Sequence, residues 1–540
     1  MTHSSFTRTR LGLRLGTLVL CLAATAAPPM PAQAATQPAT RLATRSATQP
    51  VTQPVTQPIS AATPAVPALR WADCGGGFQC ATIAVPLDYR RPDGRTIAVS
   101  VIKRPAGEPS RRIGSLFVNP GGPGISAVAT VRLAAGLIYT PQVLARFDIV
   151  GMDPRGVGGS TPIRCYDSPQ EEAAFEADYP MFPVTPEENK RSAAKAADLA
   201  NRCRAHSGWE LTHLSTANVA RDMDLLRQAI GESKLYYVGY SYGSYLGETY
   251  AAMFPDRVAA MVLDSVIDPS RYTTALPGLL GSMPFLREGS DLGAADALAE
   301  FHTACRGAGA TRCPFAADGD PAATFDHLVD RLRERPLTVD TPTGPVHVGS
   351  AELISYTISQ LYAARYWPRL AATLHALAGG DATPLAAQLP DRAAGQLIDE
   401  QQLGVLCSEV DTVNTALLLP AVARAAERRA PYAGAMWAYA GAQCVNWPAR
   451  DPDRYLGPWT ARTATPALIV NSRHDPATPY RNAQALQRLM PGSRLLTHNG
   501  WGHETVLVSS CVDRTIERYL TERELPAPGT ACEPDSRPFG

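Results

Sequence analysis

The fold class can be inferred from residues 235–243, whose sequence is Leu235-Tyr236-Tyr237-Val238-Gly239-Tyr240-Ser241-Tyr242-Gly243. Its first four residues are apolar and predict a buried strand, and a Gly-x-Ser-x-Gly motif follows at once. This motif between a strand and a helix is typical of a nucleophile elbow, whose turn holds the serine in a strained conformation. Glycines are needed on both sides of the serine because a Cβ there would collide with neighbouring backbone. We therefore predict Ser241 as a nucleophile at the carboxyl end of a strand.

Strand and helix patterns alternate on both sides of this stretch. Further strands are predicted at 96–102, 115–118, 147–150, 258–263 and 467–470. Apolar residues at helical spacing predict a helix from Val219 to Ile230, ending at Gly231. Strands separated by helices indicate an α/β fold with a mostly parallel, doubly wound sheet. Residues 271–404 are rich in Ala and Leu and have few strand-like runs, so we predict a mainly helical lid inserted into that fold.

A serine nucleophile needs a base, and the base needs an acid to orient it. In this fold the chain order is serine, acid, histidine. Asp475 and His503 each follow a predicted strand and complete that order after Ser241. His503 is the predicted general base, and Asp475 would orient it. His474 and His498 are alternatives for the base, but the first precedes the acid and the second lies within the end of a strand.

The segment Asn119-Pro-Gly-Gly-Pro-Gly124 follows the predicted strand 115–118 and supplies a candidate oxyanion hole. Glycine lets backbone N–H groups approach a substrate closely. The expected donors are the N–H groups of Gly122 and Tyr242, and the alternative is an ordinary tight turn. The chain has no Cys-x-x-Cys pair and no His-Glu-x-x-His motif, so we expect no metal and no cofactor.

A second glycine-rich stretch, residues 153–160, also follows a predicted strand. It lacks the spacing of a dinucleotide-binding loop and the Lys-Ser/Thr ending of a phosphate-binding loop. We interpret it as a structural loop that supports the site, with Asp153 and Arg155 paired to each other.

The N-terminal 68 residues differ in composition from the rest. Basic residues followed by a short apolar stretch and a small-x-small site predict a signal peptide at 1–34, cleaved after Ala34. Residues 35–68 repeat Thr-Gln-Pro and predict a disordered linker or pro-segment. The expected location is secreted or periplasmic. The 540 residues contain 50 Lys and Arg against 50 Asp and Glu. This balance argues against nucleic acid as a partner, and no later apolar run predicts a membrane span.

Cysteine usage fits an exported protein. Of the eleven cysteines, Cys21 lies in the predicted signal peptide and ten remain, an even number that suggests five disulfides. Sequence does not fix their connectivity, and buried free thiols are the alternative. The simplest pairing joins sequential neighbours: Cys74–Cys80, Cys165–Cys203, Cys305–Cys313, Cys407–Cys444 and Cys511–Cys532.

Four motifs together resemble one known family: Asn-Pro-Gly-Gly-Pro-Gly (119–124), Asp-Pro-Arg-Gly-Val-Gly-Gly-Ser (153–160), Gly-Tyr-Ser-Tyr-Gly-Ser-Tyr-Leu-Gly (239–247) and Val-Leu-Asp-Ser-Val-Ile-Asp-Pro (262–269). They resemble the secreted tripeptidyl aminopeptidases, which are α/β-hydrolase serine peptidases related to prolyl aminopeptidases. The segment 510–532 is similar to the tail of that family, and the likeness spans nearly all of residues 70–540.

The patterns along the chain predict an α/β-hydrolase core at 69–270, a helical lid at 271–404 and a second core part at 405–540, and the C-terminal end of this last part resembles the tail of the family. The resemblance implies Ser241, Asp475 and His503 as the catalytic triad. It also implies an exopeptidase that releases short peptides, often tripeptides, from substrates with a free N-terminus. Asn119 departs from the histidine that begins this loop in prolyl aminopeptidases.

Recognition of a free amine requires a carboxylate, because a buried ammonium needs a partner. Glu409 is our candidate because it lies where the lid returns to the core, and a structural or solvated glutamate is the alternative. An exported esterase or amidase on the same scaffold is a second hypothesis for the whole protein, since function resides in the site and the lid. A non-catalytic binding protein is the third, and the intact triad argues against it.

Overall fold

The computed structural model describes residues 64–176, 179, 181–342, 344–389, 400–412, 418–460 and 462–540. The predicted signal peptide and nearly all of the predicted linker lie outside the described residues. Within these ranges, no helix combines the length and apolarity needed to cross a bilayer.

The described residues form one ten-stranded sheet and a separate two-stranded hairpin. The order in the sheet is β1-β2-β3-β5-β4-β6-β7-β10-β11-β12, and β8 pairs with β9. The strands are β1 (Ala72–Asp73), β2 (Gln79–Pro86), β3 (Thr96–Arg104), β4 (Gly114–Asn119), β5 (Phe147–Met152), β6 (Leu235–Tyr240), β7 (Val258–Asp264), β8 (Leu337–Thr341), β9 (Gly344–Val348), β10 (Leu468–His474), β11 (Arg494–Trp501) and β12 (Ala531–Cys532).

The helices connect these strands and form the lid. They are α1 (Ala127–Ile138), α2 (Pro141–Arg146), α3 (Pro169–Glu176), α4 (Pro186–Ser207), α5 (Thr216–Ile230), α6 (Tyr242–Met253), α7 (Pro269–Tyr272), α8 (Pro284–Glu288), α9 (Ser290–Ala308), α10 (Pro321–Glu334), α11 (Ser350–Leu361), α12 (Trp367–Ala378), α13 (Thr383–Ala386), α14 (Glu400–Glu409), α15 (Leu419–Arg429), α16 (Ala433–Tyr439), α17 (Tyr480–Leu489) and α18 (Ser510–Glu522).

The sheet is mostly parallel and is covered on both faces, as the sequence predicts. From β5 to β12 all neighbouring strands are parallel, whereas β1, β2 and β3 are antiparallel additions at one edge. Along β6, Leu235 and Tyr237 pack in one apolar cluster, and Tyr236 and Val238 pack in the other. Helices α5, α6 and α17 cover the first face, and α1, α2 and α18 cover the second. Parallel strands buried on both faces require such continuous apolar runs.

The lid lies between β7 and β10 and is mainly helical, with the β8–β9 hairpin as an addition. Its apolar core also includes residues from a second segment, between β5 and α5, which contains α3 and α4. Sequence analysis did not assign that segment to the lid. The predicted limit at 404/405 falls inside α14, and α15 and α16 lie beyond it in the same apolar cluster. The end of the lid therefore does not coincide with that limit, and the sheet resumes at Leu468.

Five disulfides join the ten described cysteines. Their connectivity is the one obtained by pairing sequential neighbours: Cys74–Cys80, Cys165–Cys203, Cys305–Cys313, Cys407–Cys444 and Cys511–Cys532. Three of them, Cys165–Cys203, Cys305–Cys313 and Cys407–Cys444, lie in the apolar core of the lid.

The loop at 153–160 is structural, but the expected pairing of Asp153 with Arg155 is wrong. The Asp153 carboxylate accepts hydrogen bonds from Ser126 Oγ (2.7 Å) and Val128 N–H (2.9 Å) at the amino end of α1. Arg155 is fully buried and forms a two-pronged ion pair with Asp222, at 2.8 Å and 2.6 Å. A buried guanidinium needs a carboxylate that can accept two parallel bonds, and Asp153 is already committed to the helix terminus.

This ion pair gives a stability prediction. We expect Asp222→Ala to lower the free energy of unfolding by about 3–5 kcal/mol, because it leaves the buried Arg155 charge unpaired. The exposed pair between Arg111 and Glu108 is the matched control, and Glu108→Ala should cost about 0–1 kcal/mol. Urea unfolding of both variants measures the difference. Equal, small losses would show that the buried pair is dispensable.

Candidate active site

Ser241 occupies the turn between β6 and α6, with φ 54° and ψ −122°. Its N–H donates to the carbonyl of Asp264 (2.9 Å), and its carbonyl accepts from Ser244 N–H (2.8 Å). A positive φ is uncommon for a residue with a side chain and persists only where the surroundings enforce it. The side chain is partly exposed at the carboxyl end of the sheet. Ser241 therefore has the backbone geometry expected of a nucleophile elbow.

The two flanking glycines are required by close backbone contacts. A Cβ on Gly239 would lie 2.1 Å from the carbonyl oxygen of Gly243. A Cβ on Gly243 would lie 2.4 Å from the carbonyl oxygen of Asn119. Such distances are far inside van der Waals contact, so any larger residue would force β6, α6 and the Asn119 loop apart.

His503 and Asp475 are brought together at the same edge of the sheet. His503 Nδ1 lies 2.9 Å and 3.0 Å from the two carboxylate oxygens of Asp475. The carboxylate is buried and accepts further bonds from the N–H groups of Ala477 (2.9 Å) and Thr478 (2.8 Å) and from Thr478 Oγ1 (2.9 Å). These bonds fix the acid, which in turn leaves Nε2 of His503 as the nitrogen that can face a substrate.

The environment of His503 favours its protonated form. Burial opposes a charge on the ring, but the negative charge and hydrogen bonds of Asp475 outweigh it and raise the pKa of His503 to about 9. The nearby carboxylates of Glu504 and Asp264 act in the same direction. The lid also touches this residue: the carbonyl of Tyr362 accepts from His503 N–H (2.9 Å), and the two rings meet edge to face.

The two alternative histidines are placed differently. His474 Nδ1 lies 2.8 Å from Asp296 of the lid and is partly exposed. His498 is buried against Ser472 Oγ at 3.0 Å, and burial lowers the pKa of its ring to about 4. Among the hydrogen bonds of the described residues, neither histidine contacts Asp475. The geometry therefore favours His503 as the base.

The 119–124 loop packs directly on the elbow. Gly121 has φ 94°, and a Cβ there would lie 2.5 Å from the carbonyl oxygen of Tyr240. Asn119 holds the loop, since its side-chain oxygen accepts from Gly121 N–H (2.9 Å). In the described part of the chain, no hydrogen bond uses the N–H of Gly122. Tyr242 begins α6, so its N–H has no intrahelical acceptor. Neither predicted oxyanion donor is therefore used by a hydrogen bond among the described residues, and Gly121, next to Gly122, packs on the elbow.

Glu409 lies at the end of α14, buried beside the elbow. One carboxylate oxygen accepts from Thr216 N–H at the amino end of α5. The other, Oε2, is buried and has no hydrogen-bond partner in the described ranges. Burial raises the pKa of this carboxyl to about 7. Its charge also acts on Tyr242 and Tyr245 of α6, which places it close to the residue after the nucleophile.

The sequence analysis assigned no role to three polar residues of the site: Thr478, Asp264 and Ser265. Thr478 could have been found, because Asp-x-x-Thr is the spacing at which an aspartate accepts from the backbone two and three residues on. The other two lie in the 262–269 motif that carries the family resemblance, but they were given no role because their partners are distant in sequence. Across the described residues, no three His, Cys, Asp or Glu side chains are grouped as a metal site.

Comparison with known proteins agrees with this geometry. The family model described as alpha/beta hydrolase fold matches residues 114–295, and the TAP-like protein model matches residues 430–532. The tripeptidyl aminopeptidase of Streptomyces coelicolor is 33% identical over 511 residues, which cover 89% of this chain and 88% of that protein. The chain belongs to the tripeptidyl aminopeptidase family.

Two other proteins that are similar to this chain come from Mycobacterium tuberculosis. The serine protease Hip1 is 33% identical over 484 residues, covering 85% of this chain and 88% of that protein. A protein named Carboxylesterase B is 32% identical over 479 residues, covering 84% and 86%. The protein is accordingly a serine hydrolase with the α/β-hydrolase fold, and the expected enzyme class is confirmed.

The raised pKa of His503 gives a pH prediction. The base must be neutral to accept a proton, so kcat/KM should rise from neutral pH to about 9. In Glu504→Gln the loss of a nearby negative charge lowers the pKa of His503, and the acid limb should move to lower pH. The exposed Glu524→Gln is the control and should leave the limb in place. Hydrolysis of p-nitrophenyl acetate, which has no titrating group, gives the profile. An unmoved limb in Glu504→Gln would contradict the assignment.

Proposed function

We propose that this enzyme is an exported serine exopeptidase that releases short peptides, in particular tripeptides, from free N-termini. The observation that carries the proposal is the buried His503–Asp475 pair, placed at the same sheet edge as the strained Ser241 elbow. The membership in the tripeptidyl aminopeptidase family supports the peptide substrate. The five disulfides support an oxidising compartment, secreted or periplasmic.

The proposed reaction proceeds through an acyl-enzyme. Ser241 Oγ attacks the scissile carbonyl carbon while His503 takes the hydroxyl proton, and Asp475 stabilises the resulting imidazolium. The N–H groups of Gly122 and Tyr242 would bind the oxyanion. His503 then gives its proton to the leaving amine as the C–N bond breaks. Water, deprotonated by the same ring, attacks the ester and frees the peptide and Ser241.

Glu409 is the proposed partner of the substrate's ammonium group. Burying a carboxylate oxygen without a hydrogen bond costs desolvation free energy that nothing in the protein offsets. A bound ammonium group would offset that cost. The other oxygen, bound to Thr216 N–H, holds the carboxylate in place. Glu409 has no exposed surface, so an ammonium can reach it only when the lid opens.

Helix α14 offers a physical basis for the length of the released peptide. Near its start, the main chain of Gln402 packs so closely on the oxyanion loop that a Cβ on Gly124 would lie 2.8 Å from it. Glu409 follows seven residues later in the same helix, a rise of about 10.5 Å. Three extended residues span about 10–11 Å. The rise along α14 from Gln402 to Glu409 is therefore similar to the length of a tripeptide, which supports the proposed length of the released peptide.

One observation favours a second candidate. The relative named Carboxylesterase B is nearly as similar to this chain as the tripeptidyl aminopeptidase. The triad and oxyanion donors would serve an ester as well as a peptide bond, so an exported esterase or amidase is the alternative. The two hypotheses differ in one requirement: the exopeptidase needs a substrate with a free N-terminal amine, and the esterase or amidase does not.

The first prediction of the proposal concerns the free amine. Ala-Pro-Ala-p-nitroanilide should be hydrolysed and its N-acetylated form should not, because acetylation removes the positive charge. Release of p-nitroaniline measures both, and Ser241→Ala should abolish it. If neither anilide is cleaved while p-nitrophenyl esters are hydrolysed through Ser241, the enzyme is an esterase.

The second prediction concerns Glu409 and peptide length. Among free-amine dipeptidyl, tripeptidyl and tetrapeptidyl anilides, the tripeptidyl one should give the highest kcat/KM. Glu409→Gln should raise KM for it by on the order of 10- to 100-fold, since a buried ammonium loses its charged partner. The matched control is Glu427→Gln, a lid carboxylate whose two oxygens both accept backbone N–H groups.

In this second experiment, hydrolysis of a p-nitrophenyl ester without an amine provides the internal reference. It should be unchanged in Glu409→Gln. An equal loss for the ester and for the anilide would assign Glu409 to structure alone, as the cap of α5.

A further inference from the structure

The end of strand β7 lies between the strands that lead to the nucleophile and to the acid. In the sheet, β7 is flanked by β6 and β10. Asp264 is the last residue of β7, opposite Tyr240 of β6 and Val470 of β10. Ser265 follows it with φ 53°, and both residues are fully buried. A non-glycine residue with positive φ directly beyond a strand points to a local constraint.

Main-chain groups of these two residues bind the loops of the nucleophile and the acid. The carbonyl of Asp264 accepts from Ser241 N–H (2.9 Å), which fixes the elbow. The N–H of Ser265 donates to the carbonyl of Val470 (2.9 Å), five residues before Asp475. The first bond lies where β6 and β7 end, and the second joins the residue after β7 to the middle of β10.

Side chains of the same two residues bind the histidine loop. The hydroxyl of Ser265 accepts from Glu504 N–H (2.7 Å). The carboxylate of Asp264 accepts from Thr505 N–H (3.1 Å) and from Thr505 Oγ1 (2.6 Å). The two residues that follow His503 are therefore tied to the end of β7 by four hydrogen bonds, since the Thr505 N–H reaches both oxygens of Asp264, although they are some 240 positions away in sequence.

We propose that Asp264 and Ser265 are positioning residues, which hold His503 at the correct distance from Ser241. They do so because they bind the elbow, strand β10 before the acid, and the histidine loop. This inference rests on the proposed triad. Positioning matters because reacting groups must meet within a few tenths of an ångström, and a displacement of about 1 Å can cost on the order of 100-fold in rate. The N–H of His503 also donates a hydrogen bond to the carbonyl of Tyr362 in the lid, and this bond restrains the same loop.

The carboxylate of Asp264 also lies among other charged and titratable groups. Burial raises its pKa to about 6, and the hydrogen bonds from Thr505 oppose that rise. Asp475 and His503 act on it from the acid and histidine loops, and Tyr240 faces it from β6. The variants of Asp264 must therefore distinguish the effect of its hydrogen bonds to Thr505 from the effect of its negative charge on His503.

The test uses three variants of the full chain, with kcat expressed per site labelled by a fluorophosphonate. Asp264→Ala removes the acceptor and should lower kcat by on the order of 10- to 100-fold, with KM changed less than about two-fold. Asp264→Asn keeps an oxygen that can accept from Thr505 and should recover most of that loss. Thr505→Val removes one donor with little change in shape and should lower kcat by a smaller factor.

The matched control is Asp148→Ala. Asp148 is also a buried carboxylate that accepts a backbone N–H, from Ala106 at 2.8 Å, but it lies near the amino end of β5. It should lower the melting temperature and leave kcat per labelled site unchanged.

The outcomes distinguish this inference from the proposed function. If the wild type is not labelled at Ser241, the proposed triad is wrong. If the wild type is labelled and Asp264→Ala and Thr505→Val keep the wild-type kcat per labelled site, the positioning role is wrong and the bonds only support the fold. If Asp264→Asn is as slow as Asp264→Ala, charge rather than geometry is responsible, and the proposal fails.

Discussion

The backbone at Ser241 is held in a conformation that costs a residue with a side chain on the order of 1–3 kcal/mol. The restraint comes from main chain packed on main chain: the Asp264 carbonyl binds its N–H, and Gly121 presses on the turn from the other side. Only glycine fits at 121, 239 and 243, so strand β6, helix α6 and the oxyanion loop have to meet at one place. The proposed nucleophile and the loop that carries the proposed oxyanion donor Gly122 are thereby held against each other.

The order of the strands explains why the remaining parts lie where they do. The proposed nucleophile, positioning pair, acid and histidine lie at the ends of strands β6, β7, β10 and β11, which are neighbours in the sheet and run parallel. Their carboxyl ends open on the same edge, the usual place for a site in such sheets. The lid follows the carboxyl end of β7, so it starts from that edge, and the chain afterwards returns to the amino end of β10 on the opposite edge. Its contacts with Gly124 and His503 follow from this insertion point.

The features that could be predicted from the sequence are those that depend on residues close together in the chain. The strands, the elbow around Ser241 and the order of Asp475 and His503 each depend on a few consecutive residues. The partner of Arg155 was misassigned because Asp222 lies 67 positions away and the nearest carboxylate was already used. Asp264 lies in the 262–269 motif, but its bonds to Thr505 span 241 positions, so the motif did not reveal this partner. The helices at 169–207 were missed as part of the lid because only tertiary packing joins them to it.

The distribution of the disulfides has a consequence for the way the protein responds to reduction. Three of the five crosslinks are in the apolar core of the lid, whereas among the described residues the central strands β4 to β7 and β10 are held by hydrogen bonds and packing alone. The lid is therefore the part of the protein that depends most on an oxidising compartment, and a reducing agent would remove its crosslinks while leaving the hydrogen bonds of the central strands in place.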